Sequence, residues 1–201
     1  MRTVGGERSI MRSAGIAAAF ESDRSVEHAR KVARLGNILF TALHSLHELS
    51  PLYGRLLEAA AYLHDIGHYV SDNKHHKHSY YLVANSDMPG FTARERELIA
   101  NLCRYHRKAT PNEMHLNWQG LDPEGKRAVE FLAPILRLAD NLDRSQEQRV
   151  NQLECIVRPD EVRLELKGHR DIDLEAWAAD SASDVFRQVY GRPLIVVRAR
   201  E

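Results

Sequence analysis

The chain has 201 residues, and its 28 basic residues balance 28 acidic ones to a formal net charge of zero. A balanced charge gives no overall attraction to nucleic acid or to an anionic membrane, so any phosphate-binding surface must be local. The two cysteines, Cys103 and Cys155, form no CxxC pair and exclude a disulfide framework, which fits a reducing cytoplasm. The length is enough for one well-buried core, or for one main domain with a small appendage.

Residues 1–22 are interpreted as a lead-in to the folded domain. Their apolar run, residues 15–20, is too short to span a membrane. Arginines precede this run, but Glu7 interrupts them and no convincing small-residue cleavage pattern follows. A targeting role is therefore the weaker interpretation, and we expect no membrane association.

Helical patterns occupy most of the chain up to residue 149. Ser22 or Asp23 is a candidate N-cap for a long first helix, Pro51 suits the first turn of the second, and Thr92 with Glu95 forms a capping-box pattern. The predicted helices cover residues 23–46, 51–64, 75–85, 92–107 and 123–149.

The pattern changes after residue 150. Residues 153–157 and 162–166 alternate in strand fashion around the turn-like residues 158–161, which predicts a β-hairpin. A helix over residues 174–190 and a strand over residues 193–198 follow. The predicted fold class is mainly α, with a helical domain over residues 23–150 and a small antiparallel β/α appendage over residues 151–201.

A histidine and an aspartate stand side by side at the end of the second predicted helix. Helical spacing from Leu56, Leu57 and Ala60 places His64 on the inward face, and Asp65 follows directly. A buried charge needs compensation, and a divalent cation is one such compensator. The alternative is an aspartate that caps the local backbone beside a histidine that is satisfied within the core.

Two other predicted helices carry a similar side chain on an otherwise apolar stripe. His28 shares a helix face with Val32 and Leu39, and Asp140 follows Leu136 at helical spacing. A mixed imidazole and carboxylate set suits Mn, Fe, Zn or Mg and leaves coordination positions open for water and phosphate oxygens.

In this order, His28, His64 with Asp65, and Asp140 resemble the H…HD…D signature of the HD-domain metal-dependent phosphohydrolase superfamily. The chain is most similar to the C-terminal helical domain of the exopolyphosphatase/guanosine pentaphosphate phosphatase (Ppx/GppA) family. This similarity rests on residues 63–67, 74–82, 85–91, 104–108 and 136–145. It implies an HD-type helical domain with one or two divalent metal ions at the four signature residues.

One departure from the family pattern limits what the resemblance implies. Members of that family carry a pair of N-terminal actin-like subdomains, to which the resemblance assigns hydrolysis of the phosphate chain. Here only residues 1–27 precede His28. The exopolyphosphatase activity is therefore not carried over directly, whereas the intact signature favours a working metal site.

Further histidines are candidates for a second metal ion. In HD proteins with two metals, histidines from the helices after the HD pair bind the second ion, and the aspartate bridges. The resemblance suggests His78 and His106 for these roles, although spacing does not separate His78 from His75 or His76. The alternative is that His106 is a core or substrate-facing residue, so a second metal stays open.

Basic side chains flank the candidate ligands and are predicted to bind phosphate. These residues are Lys74, Lys77, Arg104, Arg107, Lys108, Arg137 and Arg144. Lys and Arg are what a phosphate chain requires near a metal pocket. The alternative for any one charge run is a solvated basic face.

These patterns predict metal-assisted hydrolysis of a phosphoester or phosphoanhydride, with Asp65 and His68 as catalytic residues and His106 as another candidate acid or base. The expected substrate is a nucleotide, an alarmone or a polyphosphate-like molecule, and no nucleic-acid or membrane partner is expected. The alternative is a non-catalytic phosphate-binding or regulatory HD module. Such a module pairs with an actin-like phosphatase chain or with a second copy of itself, which leaves a homo-oligomer open.

Overall fold

The computed structural model describes residues 23–198, with side chains from residue 25 onward. The predicted lead-in and its candidate cap Ser22 lie outside the described residues. The helices are α1 (Asp23–Ala42), α2 (His44–His47), α3 (Pro51–Leu63), α4 (His75–Ala84), α5 (Ala93–Tyr105), α6 (Leu116–Gln119), α7 (Pro123–Asn141), α8 (Asp173–Asp180) and α9 (Ser183–Tyr190). The strands are β1 (Val150–Val157), β2 (Val162–Gly168) and β3 (Leu194–Arg198), and a 3-10 turn over Ile66–Tyr69 follows α3. The prediction of a mainly α fold with a small β appendage is confirmed.

Local side-chain caps fix where two of the long helices, α5 and α7, begin. At α5, Thr92 accepts a hydrogen bond from the backbone N–H of Glu95, and the Glu95 carboxylate accepts one from the backbone N–H of Thr92 at 2.7 Å. At α7, the Asp122 carboxylate accepts from the backbone N–H of Gly125 at 2.6 Å. Both caps satisfy N–H groups that the helix itself leaves without a partner, and the predicted capping box is confirmed.

Two predicted helices are divided in the structure. The first ends at Ala42 and resumes as the short α2, and the segment predicted as one helix over residues 174–190 forms α8 and α9. Between α8 and α9, the Ser181 hydroxyl donates to the carbonyl of Ala178 at 2.6 Å. This side-chain bond offers the backbone an alternative to continuing the helix.

The last predicted helix of the helical domain is also shorter than expected, because α7 ends at Asn141 rather than near residue 149. Beyond it, the Asp143 carboxylate accepts a hydrogen bond from the backbone N–H of Gln148 at 2.8 Å. Gln146 and Gln148 both take positive φ angles, of 56° and 49°. The chain therefore turns back on itself around Asp143 instead of extending the helix.

The turn after α3 is pressed against the first turn of α4. A Cβ atom on Gly67 would collide with the carbonyl oxygen of His75 and lie 2.6 Å from the backbone nitrogen of Ser79. The Ser79 hydroxyl accepts from the Gly67 N–H at 2.9 Å and donates to the carbonyl of His64 at 2.6 Å. Glycine is thus required here for close approach, and Ser79 fastens the turn to α4.

The three strands form one mixed sheet in the order β1-β2-β3. β1 and β2 are an antiparallel hairpin, as predicted, with Cys155 opposite Leu164. β3 pairs parallel to β2, with Leu194 opposite Val162, so the appendage is not purely antiparallel. The segment that contains α8 and α9 supplies the long crossover that parallel neighbours require.

The core lies between α1, α3, α5 and α7. Leu39, Leu57, Leu102 and Leu136 are almost completely buried there. Val150, Leu164 and Phe186 of the C-terminal part belong to the same continuous apolar cluster. The boundary after residue 150 therefore stays a prediction. Among residues 23–198, none of the helices has the length and apolar character to cross a membrane.

Candidate metal centre

Three core helices bring the four signature residues together. His28 comes from α1, His64 and Asp65 directly follow α3, and Asp140 lies in the last turn of α7. The Nε2 atom of His28 lies 3.3 Å from an Asp140 carboxylate oxygen, and the Nε2 atom of His64 lies 3.6 Å from the same oxygen. His64 Nε2 is also 3.5 Å from Asp65 Oδ2. We call His28, His64, Asp65 and Asp140 the first ligand group.

The orientation of each histidine is set by its Nδ1 atom. His28 Nδ1 donates to the Asp143 carboxylate at 2.8 Å, and His64 Nδ1 donates to the carbonyl of Ala61 at 2.8 Å. Because a carbonyl or carboxylate oxygen only accepts, a proton resides on Nδ1, and the ring in its neutral form presents an Nε2 lone pair. Both Nε2 atoms are buried and have no hydrogen-bond partner among the described residues. This arrangement is typical of metal-ligating histidines.

A second group of possible ligands lies on the other side of Asp65. Asp65 Oδ1 is 3.2 Å from His75 Nε2 and 3.6 Å from His106 Nε2. His106 directly follows α5 and donates its Nδ1–H to the carbonyl of Cys103 at 2.8 Å, as His64 does at the end of α3. Carbonyls at a helix end lack intrahelical partners, which explains why this position holds a ring so firmly. We call Asp65, His75 and His106 the second ligand group.

The electrostatics of the site keep its carboxylates ionised. Burial alone raises the pKa of Asp65, but His64, His75 and His106 lower it below the usual range. Burial likewise opposes ionisation of Asp140, and the nearby His28 and His64 rings hold its pKa well below the usual range. The site therefore concentrates negative charge that a cation can neutralise.

The histidines respond in opposite directions. Burial lowers the pKa of His28, but Asp140 and Asp143 raise it to about 9. Burial and the nearby His64 lower the pKa of His106 to about 3. Positive charge is thus favoured on His28, which lies between Asp140 and Asp143, and disfavoured on the buried His106, which lies beside His64.

A pocket of about 240 Å³ opens onto the first ligand group. Its lining includes Tyr62, Ile66 and His68 besides the ligand residues. The His68 side chain is 42% exposed, with Nδ1 2.6 Å from Asp72 and Nε2 3.7 Å from Asp65 Oδ1. The predicted catalytic pair, Asp65 and His68, therefore meets at the mouth of this pocket.

The seven predicted phosphate-binding residues occupy different environments. Arg107 reaches the second ligand group, with a guanidinium nitrogen 3.3 Å from His75 Nε2. Arg137 instead donates to the carbonyls of Tyr105 and Ala109 at 3.1 and 2.9 Å. Arg104 is buried, and the exposed members of the set are Lys74, Lys77, Lys108 and Arg144.

Sequence reasoning did not select His75 or Asp143. The structure brings His75 to Asp65, whereas His78 is half-buried and belongs to neither ligand group. A sequence signal for His75 was present, because His75, Ser79 and Val83 recur at helical spacing and are buried on one face of α4. Asp143 continues the inward stripe of Asp140, and its burial marks it as the partner of His28.

The chain matches known proteins over most of its length. The family model described as Ppx/GppA phosphatase, domain III, matches residues 11–178. The guanosine-5'-triphosphate,3'-diphosphate pyrophosphatase of Aeromonas hydrophila is 38% identical over 114 residues, which are 56% of this chain and 22% of that protein. The protein of the same name from Pseudoalteromonas translucida is 26% identical over 152 residues, which are 72% of this chain and 29% of that protein. The chain thus spans less than a third of these relatives' length, and it belongs to the Ppx/GppA phosphatase domain III family.

Proposed function

We propose that this chain is an HD-type, metal-dependent phosphohydrolase domain whose substrate is a nucleotide, an alarmone or a short polyphosphate. The observation that carries the proposal is the pair of buried Nε2 atoms of His28 and His64, which lack hydrogen-bond partners among the described residues. They face carboxylate oxygens of Asp65 and Asp140 at 3.3–3.6 Å. Two imidazole lone pairs and two carboxylates fit a divalent cation, and Mn, Fe, Zn and Mg all accept such donors.

The second ligand group supports a further cation that shares Asp65. Its Oδ2 atom faces the first ligand group and its Oδ1 atom faces His75 and His106. His75, His106 and Asp65 would hold this second ion, and Asp65 would be the residue common to both sites. His75, rather than His78, is the ligand that we assign here.

Each residue of the site has a distinct role in this proposal. A divalent cation, when bound, supplies Lewis-acid chemistry that activates water and polarises a phosphoryl oxygen. His68 is the proton-transfer candidate, because it is exposed at the pocket mouth and Asp72 fixes its ring. His106 is unsuited to that role, since it is buried and its Nδ1 is committed to a helix carbonyl.

The substrate class rests on the relatives and on the charge around the site. The relatives' names specify a guanosine nucleotide with a 5'-triphosphate and a 3'-diphosphate. Arg107, beside His75, is placed to meet a phosphate oxygen.

Cys103 and Cys155 are both free thiols, which supports the cytoplasmic location expected from the sequence.

A second candidate function is a non-catalytic module that binds a phosphorylated ligand. It is favoured by one observation: the matched model is a single domain of the phosphatases, and the relatives' names describe proteins of which the match covers 22–29%. In this case the module pairs with an actin-like phosphatase chain or with itself, and the cation serves stability.

Metal analysis combined with phosphate release tests the proposal. The native chain, Asp65→Asn and the control Asp87→Asn, which changes an exposed turn residue, are loaded with Mn²⁺ and incubated with guanosine nucleotides and tripolyphosphate. We expect bound metal and phosphate release that disappear only in Asp65→Asn. Bound metal without release from any substrate would favour the second candidate, and absence of metal from the native chain would overturn the site.

A further inference from the structure

The first turn of α4 and the end of α5 bring a histidine and three cationic side chains together beside the second ligand group. His76 lies in α4, Arg104 lies in the last turn of α5, and Arg107 and Lys108 follow that helix. We call these four residues the basic cluster. Burial and the neighbouring Arg104, His75, Arg107 and Lys108 lower the pKa of His76 to about 4, so the positive charge of the cluster comes from the two arginines and the lysine.

Two members of the basic cluster are buried, and each has a polar atom without a hydrogen-bond partner among the described residues. Arg104 is only 8% exposed and His76 only 3%. A terminal guanidinium nitrogen of Arg104 and the Nδ1 atom of His76 are buried without a hydrogen-bond partner among the described residues. Over residues 23–198, Arg104 forms no salt bridge with a carboxylate. Burial of a guanidinium nitrogen without a partner costs free energy unless an anion compensates it.

The basic cluster also adjoins the candidate metal ligands. The His76 ring centre is 6.0 Å from that of His75 and 6.5 Å from that of His106. Arg107 connects the two regions, because its guanidinium lies 3.3 Å from His75 Nε2. An anion held by the basic cluster would therefore neighbour any group bound at the second ligand group.

We propose that the basic cluster is an anion subsite, which binds one phosphate group of the substrate while a linked phosphate of the same molecule lies at the ligand groups. The placement of the second phosphate rests on the proposed function; the binding of the first does not. Arginine is suited to this task because its planar fork donates two parallel hydrogen bonds to phosphate oxygens. The subsite favours substrates with at least two linked phosphates over simple monoesters.

The same geometry excludes Arg137 from this subsite. Arg137 directs its guanidinium to the carbonyls of Tyr105 and Ala109. Arg144 is exposed beyond the end of α7. Sequence patterns assigned all seven cations the same role, whereas burial and contacts separate them.

Calorimetry with inorganic tripolyphosphate tests the subsite without any metal. The whole chain is titrated in EDTA at low salt, with orthophosphate as the comparison ligand. We expect tripolyphosphate to bind more tightly than orthophosphate, and Arg104→Gln to weaken its binding by about tenfold, the scale of one charged hydrogen bond. Lys108→Gln changes an exposed residue and is expected to weaken binding without affecting the fold. Arg163→Gln, in the distant hairpin, is the matched control.

The outcomes separate this inference from the proposed function. Loss of affinity in Arg104→Gln and Lys108→Gln, with a native circular dichroism spectrum in at least the latter, supports the subsite even if the chain binds no Mn²⁺. Unchanged affinity in both variants, or equal affinity for orthophosphate and tripolyphosphate in the native chain, overturns the subsite. Mn²⁺ binding measured on the same samples then decides the metal site separately.

Discussion

His28 and Asp143 lie 115 positions apart in the sequence, yet the Nδ1 atom of His28 is 2.8 Å from the Asp143 carboxylate. Asp143 is completely buried, and its other oxygen accepts the backbone N–H of Gln148. The turn that ends α7 therefore also fixes the His28 ring. Since the proton is held on Nδ1, the Nε2 atom is kept available toward Asp140.

We expect Asp143→Asn to weaken Mn²⁺ binding by about 10- to 100-fold, the usual effect of removing the partner of a ligating histidine. The asparagine side chain lacks the negative charge with which Asp143 holds the His28 Nδ1–H, so the His28 ring is free to change tautomer. Isothermal titration with Mn²⁺ measures the effect, and Asp160→Asn in the exposed hairpin turn is the control. Equal affinity in Asp143→Asn and the native chain would contradict a positioning role.

The assignment of His75 to the second ligand group has a direct test. Replacing His75 by alanine removes an imidazole 3.2 Å from Asp65 Oδ1, so we expect one class of Mn²⁺ sites to weaken or vanish. His78→Ala lies on the same helix, is only half-buried, and should leave the binding isotherm unchanged. The reverse result would return the role to His78.

Two glycines are expected to respond in opposite directions to alanine. Gly67→Ala pushes a methyl group into the carbonyl of His75, and overpacking of this kind costs about 1–3 kcal/mol. Gly36→Ala lies inside α1, where the new methyl meets Leu57 at an ordinary 3.7 Å, so helix propensity should stabilise by up to about 1 kcal/mol. Urea unfolding of both variants checks the signs. A Gly67→Ala protein as stable as the native chain would show that the turn shifts easily.

The contact between the beginnings of α5 and α7 predicts a pH dependence. The Arg94 guanidinium and the Gly125 N–H lower the pKa of Asp122 to about 2. A carboxylate with a depressed folded-state pKa stabilises above its unfolded pKa of about 3.9 and loses that contribution as the pH falls through the folded value.

Asp122→Asn keeps the helix cap but removes the charge that Arg94 contacts. We expect its melting temperature to lie slightly below that of the native chain at neutral pH, because the pair is exposed, and the difference to shrink between about pH 4 and 2. Differential scanning calorimetry over this range measures it. A difference that is independent of pH would mean that the substituted amide fails as a helix cap rather than as a charge partner.

The helices and hairpin were predictable because caps and periodicity are local signals. Thr92 with Glu95 and Asp122 with Pro123 act within a few residues of chain. The early end of α7 was not predictable, since it depends on Asp143 reaching both Gln148 and the distant His28. The break at Ser181 was not predictable either, because the sequence pattern on both sides of it is helical.

Within the candidate site, the four signature residues could be selected from their place on apolar stripes. The choice among His75, His76 and His78 could not be made by counting, because the start of α4 depends on how Gly67 and Ser79 pack. Lys74 precedes α4 with a φ of 61°, a conformation that the sequence does not indicate for a non-glycine residue. The roles of the cations also required burial, which spacing does not supply.

Asp65 is the one side chain shared by both ligand groups within the described part of the chain, with one oxygen committed to each. Two ions held in this way would not bind independently: the first would orient the carboxylate for the second, and their positive charges would oppose each other across a single residue. Occupancy by one ion and occupancy by two would then be distinct states of the molecule. The concentration of free cation would determine which of the two states is populated.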